Sequence, residues 1–107
     1  MITLHIAVKN KVATYPRRDG AIVCGNNDYQ IEFTFDEEWQ DKTKTARFRW
    51  NGANHDVNFT GNICKVPIIN DAKSVMVGVF IGAAVSPTLS STPVVIPCER
   101  SILCSGA

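Results

Sequence analysis

The sequence predicts an all-β chain, folded as a single antiparallel β-sandwich of Ig-like or jelly-roll-like type with about eight short strands. Three observations carry this. Apolar residues recur at every second position through most of the chain, the period of a half-buried strand rather than of a helix. Clusters of Gly, Asn, Asp and Pro interrupt these runs at intervals of roughly 8–12 residues, the spacing of a sandwich. No stretch holds helical spacing for more than about one turn. A small barrel is the alternative closure.

In chain order, Ile2, Leu4, Ile6 and Val8 alternate with Thr3, His5 and Ala7 and give the first strand. Lys9-Asn10-Lys11 reads as a turn. Val12 to Tyr15 is a short second strand that Pro16 ends by removing a backbone donor. Residues 16–20 form a solvated loop with an Asp-Gly turn signal. Ala21 to Cys24 is a further short strand, and Gly25-Asn26-Asn27-Asp28 is a turn whose residues tolerate positive φ.

The clearest stretch is YQIEFTFDEEWQDKTKTARFRW, residues 29–50. Ile31, Phe33 and Phe35 share one face of a strand; Glu32 and Thr34 share the other. Asp36-Glu37-Glu38-Trp39 suits one helical turn, with Asp36 at the N-cap and Trp39 folded back as a lid on the core. Lys44 to Trp50 is the next strand, with Ala46, Phe48 and Trp50 inward and Arg47 and Arg49 outward. Asn51-Gly52 is the best hairpin signal in the chain. The return strand is His55 to Phe59, with Val57 and Phe59 inward.

Beyond the turn at Thr60-Gly61-Asn62, Ile63 to Ile68 places Cys64, Val66 and Ile68 on one face, and Pro67 marks an edge. Val75, Val77, Val79 and Ile81 make the longest apolar face. Gly78, on its opposite side, predicts close approach of another backbone or a bulky side chain. Ala83 to Ser91 reads as a loop. Thr92 to Cys98 is the last strand, with Val94 and Ile96 inward and Pro93 and Pro97 marking an edge. Phe33, Phe48 and Val77, each the middle of an alternating run, are expected in one buried cluster.

A chain of 107 residues forms one domain, 1–107, large enough for a core without cross-links. The apolar fraction of 45% argues against disorder. A net charge of +1 supplies no general field for nucleic acid or an anionic membrane, so neither is expected as a partner. The longest apolar run, Val75 to Val85, is too short for a membrane helix, which needs about 20 residues. Nothing at the start reads as a signal peptide. Cys24, Cys64, Cys98 and Cys104 are therefore expected as free thiols, with Cys64 in the core.

No catalytic constellation emerges, and the chain is expected not to be an enzyme. The serines and threonines of residues 86–92 lack a nucleophile context. His5 and His55 are far apart, no CxxC occurs, and the acids Asp36, Glu37, Glu38 and Asp41 lack the spacing of a calcium loop. No cofactor or metal is expected. The basic residues Lys9, Lys11, Arg17 and Arg18 lack the interleaved aromatics of a single-strand binder. The residues left for binding are Arg47 and Arg49, on an outer sheet face, and the aromatics Trp50, Phe80 and Tyr29, for which core or edge packing is weighed against a partly exposed contact surface, the packing reading being the stronger.

IEFTFDEEW, KTKTARFRWNG, DVNFTGNICKVPI, VMVGVF and SSTPVVIPCERSIL occur in that order across residues 28 to 104. In this the chain resembles the N-terminal β-sandwich domain of baseplate upper and tail-fibre proteins from phages of Gram-positive bacteria. The resemblance implies a non-enzymatic virion structural protein, an attachment or assembly module of a baseplate, tail or head fibre. It implies other virion proteins as partners, homo-oligomerisation, and a location in the virion and, during assembly, the host cytoplasm. The sequence runs to Ala107 with no stalk or receptor-binding head. The expectation is thus an attachment or decoration module, a fragment of a longer protein, or a domain reused for another phage task. Two further functions fit the same residues: a small phage-encoded inhibitor of a host defence complex, and a carbohydrate-binding module using exposed aromatics.

Overall fold

The computed structural model describes residues 1–102. It is all-β. A smaller sheet holds β1 (Ile2–Lys9), β2 (Val12–Thr14), β4 (Tyr29–Phe35) and β7 (Ile63–Lys65) in the order β2-β1-β4-β7. A larger sheet holds β3 (Ile22–Val23), β5 (Lys44–Trp50), β6 (Ala53–Phe59), β8 (Ser74–Ala83) and β10 (Val94–Glu99) in the order β3-β10-β8-β5-β6. The far half of β8 pairs instead with β9 (Ser86–Ser90). Single turns of 3-10 helix cover Arg17–Asp19 and Glu37–Trp39.

The inner faces of the two sheets make one core, and the alternation puts it there. Leu4, Ile6, Val8, Ile31 and Phe33 come from the smaller sheet; Phe48, Val75, Val77, Val79 and Ile96 come from the larger. Phe33, Phe48 and Val77 share this cluster as expected, with Phe48 directly opposite Val77.

The expected all-antiparallel pairing is corrected in two places. β1 runs parallel to β4 along its whole length, from Ile2 opposite Tyr29 to Val8 opposite Phe35. β3 runs parallel to β10. The chain leaves the β1–β2 hairpin, crosses to the larger sheet as β3, and returns as β4 in the direction of β1. Alternation assigns a face to each residue but carries no information on strand direction.

Other departures have local causes. Ile2, at the start of β1, is 45% exposed. Ile68 is exposed and Ile69 is buried, because the ladder ends at the bond from Val66 N–H to Tyr29 O and Pro67 breaks the period. The last strand is not an edge: β10 lies between β3 and β8. Cys98 N–H donates to Lys73 O on the β8 side, so the nitrogen of Pro97 faces the other way, where β3 pairs only from Cys98 onward. Its missing donor therefore breaks no ladder bond.

The expected loop at residues 83–91 contains β9, whose SPTLS buries only Leu89. Gly82 makes this hairpin possible. It has φ +96° at a break in register, and a Cβ there would lie 3.1 Å from Thr88 N.

Two hairpins turn on two residues of positive φ each. Asn51 (φ 51°) and Gly52 (φ 79°) join β5 to β6, as the Asn-Gly signal predicts. Asn10 (φ 52°) and Lys11 (φ 65°) join β1 to β2 with the same handedness, although lysine disfavours it. Tertiary contacts hold that turn. Asn10 N–H donates to Asp36 Oδ2 at 2.7 Å, Lys11 Nζ reaches Glu38 at 3.3 Å, and Thr92 N–H donates to Lys11 O at 2.8 Å. Asp36 thus stands at the head of the 3-10 turn as expected, but its side chain makes no cap and serves the β1–β2 turn instead. Trp39 is fully buried, its ring stacked on Phe35.

Truncating Phe33 to Ala should cost on the order of 3–5 kcal/mol in urea unfolding, since the ring is buried on all sides. A midpoint near that of the wild type would contradict the packing of β4. Lys11→Gly should relieve the left-handed strain by an amount on the order of 1 kcal/mol while losing a surface ion pair of lesser value. Its melting temperature should therefore equal or exceed that of the wild type.

Candidate protein-binding face

Directly opposed residues of antiparallel strands share a face, so the registers map the outer side of the larger sheet. One row reads Asn54, Arg49, Met76, Val95 across β6, β5, β8 and β10. The next begins Asp56, Arg47, Gly78, with Pro93 beside Gly78. The third reads Asn58, Thr45, Phe80, Ser90, ending on β9.

The two arginines predicted for this face are both on it, in different states. Arg47 is engaged: Nε and an Nη reach the two carboxylate oxygens of Asp56 at 2.9 and 3.0 Å. Its guanidinium also lies 5.3 Å from the centre of the Phe80 ring. The hydrogen bonds to Arg47 hold the Asp56 carboxyl below its ordinary value. Arg49, two residues on, is exposed and meets no carboxylate among the described residues. Beside it, Met76 is 41% and Val95 58% exposed.

Between them is a notch. Gly78 contributes no side chain, and a Cβ there would come no nearer than 3.8 Å to Pro93 Cα and Ser91 Oγ. The backbone of residues 91–93, held by bonds exchanged between Val79 and Ser91, lies beside this glycine at ordinary contact distance, so the expected close approach is corrected: a Cβ would fit. Met76, Phe80, Pro93 and Arg47 wall the notch, and Arg49 stands at its rim. The glycine was legible in the sequence. The notch was not, because it needs the register of β5, β8 and the segment before β10.

Of the three aromatics weighed between core packing and a contact surface, Phe80 is on this face and Tyr29 and Trp50 are not. Tyr29 is 4% exposed, and its hydroxyl accepts a hydrogen bond from Val23 N–H at 3.0 Å. It is a core residue tying β4 to β3, and the contact-surface reading of Tyr29 is corrected. Trp50 is half-buried on the inner face, at the open end of the sandwich, stacked on His55 with ring centres 3.7 Å apart.

The outer side of the smaller sheet also carries exposed apolar residues, Val12 opposite Lys9 and Ile63 opposite Glu32. His5 donates from Nδ1 to Asp19 Oδ2 at 2.9 Å, and its Nε2 lies 3.6 Å from Glu32. Gln30 donates to Thr3 at 3.0 Å. Among the described residues, no three His, Cys, Asp or Glu side chains gather to hold a metal ion.

The inner ends of β4, β5 and β6 carry a feature the alternation marked only by position. Lys44 has the inward phase of Ala46 and Phe48 and is buried to 1% exposure. Nζ donates to Gly61 O at 2.8 Å and lies over Phe35 and Phe59, 5.0 and 5.7 Å from their ring centres. Burial lowers its pKa, with Asp41 opposing. Cys24, Cys64 and Cys98 are free, buried thiols; Cys104 lies outside the described residues. Burial pushes Cys64 up to about 12, and burial with the adjacent Cys24 does the same to Cys98. Such thiols are poor nucleophiles.

No known protein family, curated protein or solved structure matches the chain.

The shifts fix an alkaline response. Cys64 and Cys98 are raised from 9.0, and Tyr15, by burial and then Asp19, from 10.0, each to about 12. Raised groups stabilise fully below the unfolded value, and that stability is lost as pH climbs to the folded one. Lys44 acts oppositely: its contribution is complete above 10.5 and falls away as pH drops through its lowered value. Three groups oppose one, so the melting temperature should fall from about pH 9 upward. Cys64→Ala should start lower and fall less steeply over the same range.

Proposed function

We propose that this chain is a non-enzymatic protein-binding module that docks flat through the outer face of its larger sheet. The observation that carries this is the exposed cation of Arg49 beside Met76 and Val95, on a face where the neighbouring Arg47 is already neutralised. Arginine and methionine are enriched at interfaces, and an apolar patch beside a charge is what a partner can cover. On the resemblance of its motif order to phage baseplate and tail-fibre domains, the setting we propose is a virion. There the module would act in attachment or assembly, with other virion proteins as partners.

A photo-crosslinking amino acid at Met76, in cells producing the assembled particle, should yield one discrete heteromeric adduct that is retained in purified particles. The same probe at Thr34, on the outer face of the smaller sheet, should yield none. Adducts at Thr34 with none at Met76 would overturn the reading.

A further inference from the structure

We infer that the face recognises an extended segment of a partner protein carrying an apolar side chain and a carboxylate two residues apart. This rests on the docking face proposed above and specifies its ligand. The floor of the notch is Gly78, and its walls are the apolar parts of Met76, Phe80 and Pro93. This apolar lining takes an aliphatic side chain. The free cation stands one row away: Arg47 is level with Gly78, and Arg49 is level with Met76. In an extended segment, side chains on one side recur every second residue, about 6.6–6.8 Å apart. An apolar residue seated at Gly78 thus places the side chain two positions along over the Arg49 row. A carboxylate there meets the one guanidinium on this face that has no acid partner among the described residues. A cation is disfavoured at the same place, which gives the face sign selectivity as well as shape.

The test titrates uniformly ¹⁵N-labelled protein with acetyl-Gly-Leu-Ser-Glu-Gly-amide and follows backbone amides by NMR. The expected result is saturable shifts, in the millimolar range of so short a ligand, confined to residues around Arg49, Met76, Gly78 and Phe80. The Gln-for-Glu peptide should bind roughly two- to fivefold more weakly, the worth of an exposed ion pair. The peptide with Ser and Glu exchanged, which turns the acid to the opposite side, should lose the same factor. Gly78→Val should abolish the shifts, and Arg49→Gln should remove the difference between the Glu and Gln peptides. Gly78 has no positive φ and room for a Cβ, so the valine variant should keep the wild-type spectrum elsewhere.

A flat titration at these residues overturns the inference, as does equal affinity for all three peptides or a folded Gly78→Val that binds like the wild type. So does self-association by light scattering that Arg49→Gln abolishes, since the occupant is then a second copy. An adduct at Met76 with a flat titration overturns the ligand chemistry alone; no adduct at Met76 overturns the docking face itself.

Discussion

The two sheets are joined at one end by a stack of aromatic rings around a buried cation, and much of the architecture depends on it. Phe33 and Phe35 come from the smaller sheet, with ring centres 5.0 Å apart. Phe59, from the larger sheet, stacks on Phe33 at 5.3 Å, and Trp39 closes on Phe35 at 5.2 Å. Lys44 lies over Phe35 and Phe59 and hydrogen-bonds the turn after β6. Each aromatic pair adds about 0.5–1.5 kcal/mol beyond the area it buries. The cation over ring faces recovers part of what burial of an ammonium costs. Because the stack includes the 3-10 turn, it also positions Asp36 and Glu38, which in turn hold the Asn10-Lys11 hairpin.

The parallel pairings distribute that constraint across the molecule. β1 pairs with a strand that follows it only after an excursion to the other sheet. During the excursion Tyr15 closes its own loop by donating to Gly20 O, and Tyr29 holds β3 by accepting from Val23 N–H. Contacts between residues distant in sequence form late and at an entropic cost. The reward is that neither sheet is a local unit. The outer face of the larger sheet is therefore carried on a scaffold that the smaller sheet braces, which favours a preorganised docking surface over one that orders on binding.

The strand faces were legible because burial on one side forces the period of two, and the Asn51-Gly52 turn was legible because its two positive φ values need those residue types. What alternation does not encode stayed hidden. Direction is one case, as with β1 and β4. Pairing without an apolar face is another: β9 earns its place by backbone bonds and a glycine bulge, with Leu89 as its one buried side chain. Tyr29 stayed open between core and surface because a phenol reads as amphipathic until the buried N–H it serves is in view. Within the candidate face, Arg47 and Arg49 share a phase in the sequence. That Asp56 neutralises only the first follows from the hairpin register, which Asn51-Gly52 sets.

The sheet edges explain why a face, rather than an edge, is the better docking surface. Strand addition needs a run of unpaired N–H and C=O groups. Three of the edge strands are short: β2 and β7 have 3 residues each, and β3 has 2. Pro67 follows β7 closely, and proline at such a place blunts further pairing. β6 is longer, with 7 residues, but its outward side chains are Asn54, Asp56 and Asn58. Polar and charged side chains of this kind protect an edge against indiscriminate pairing. The face inward from that edge carries exposed Met76 and Val95, an open Gly78, and Arg49, which meets no carboxylate among the described residues. With these edges blunted, the faces are left for association; both carry exposed apolar residues, Val12 and Ile63 on the smaller sheet and Met76 and Val95 on the larger, and the larger adds the open Gly78 beside Arg49.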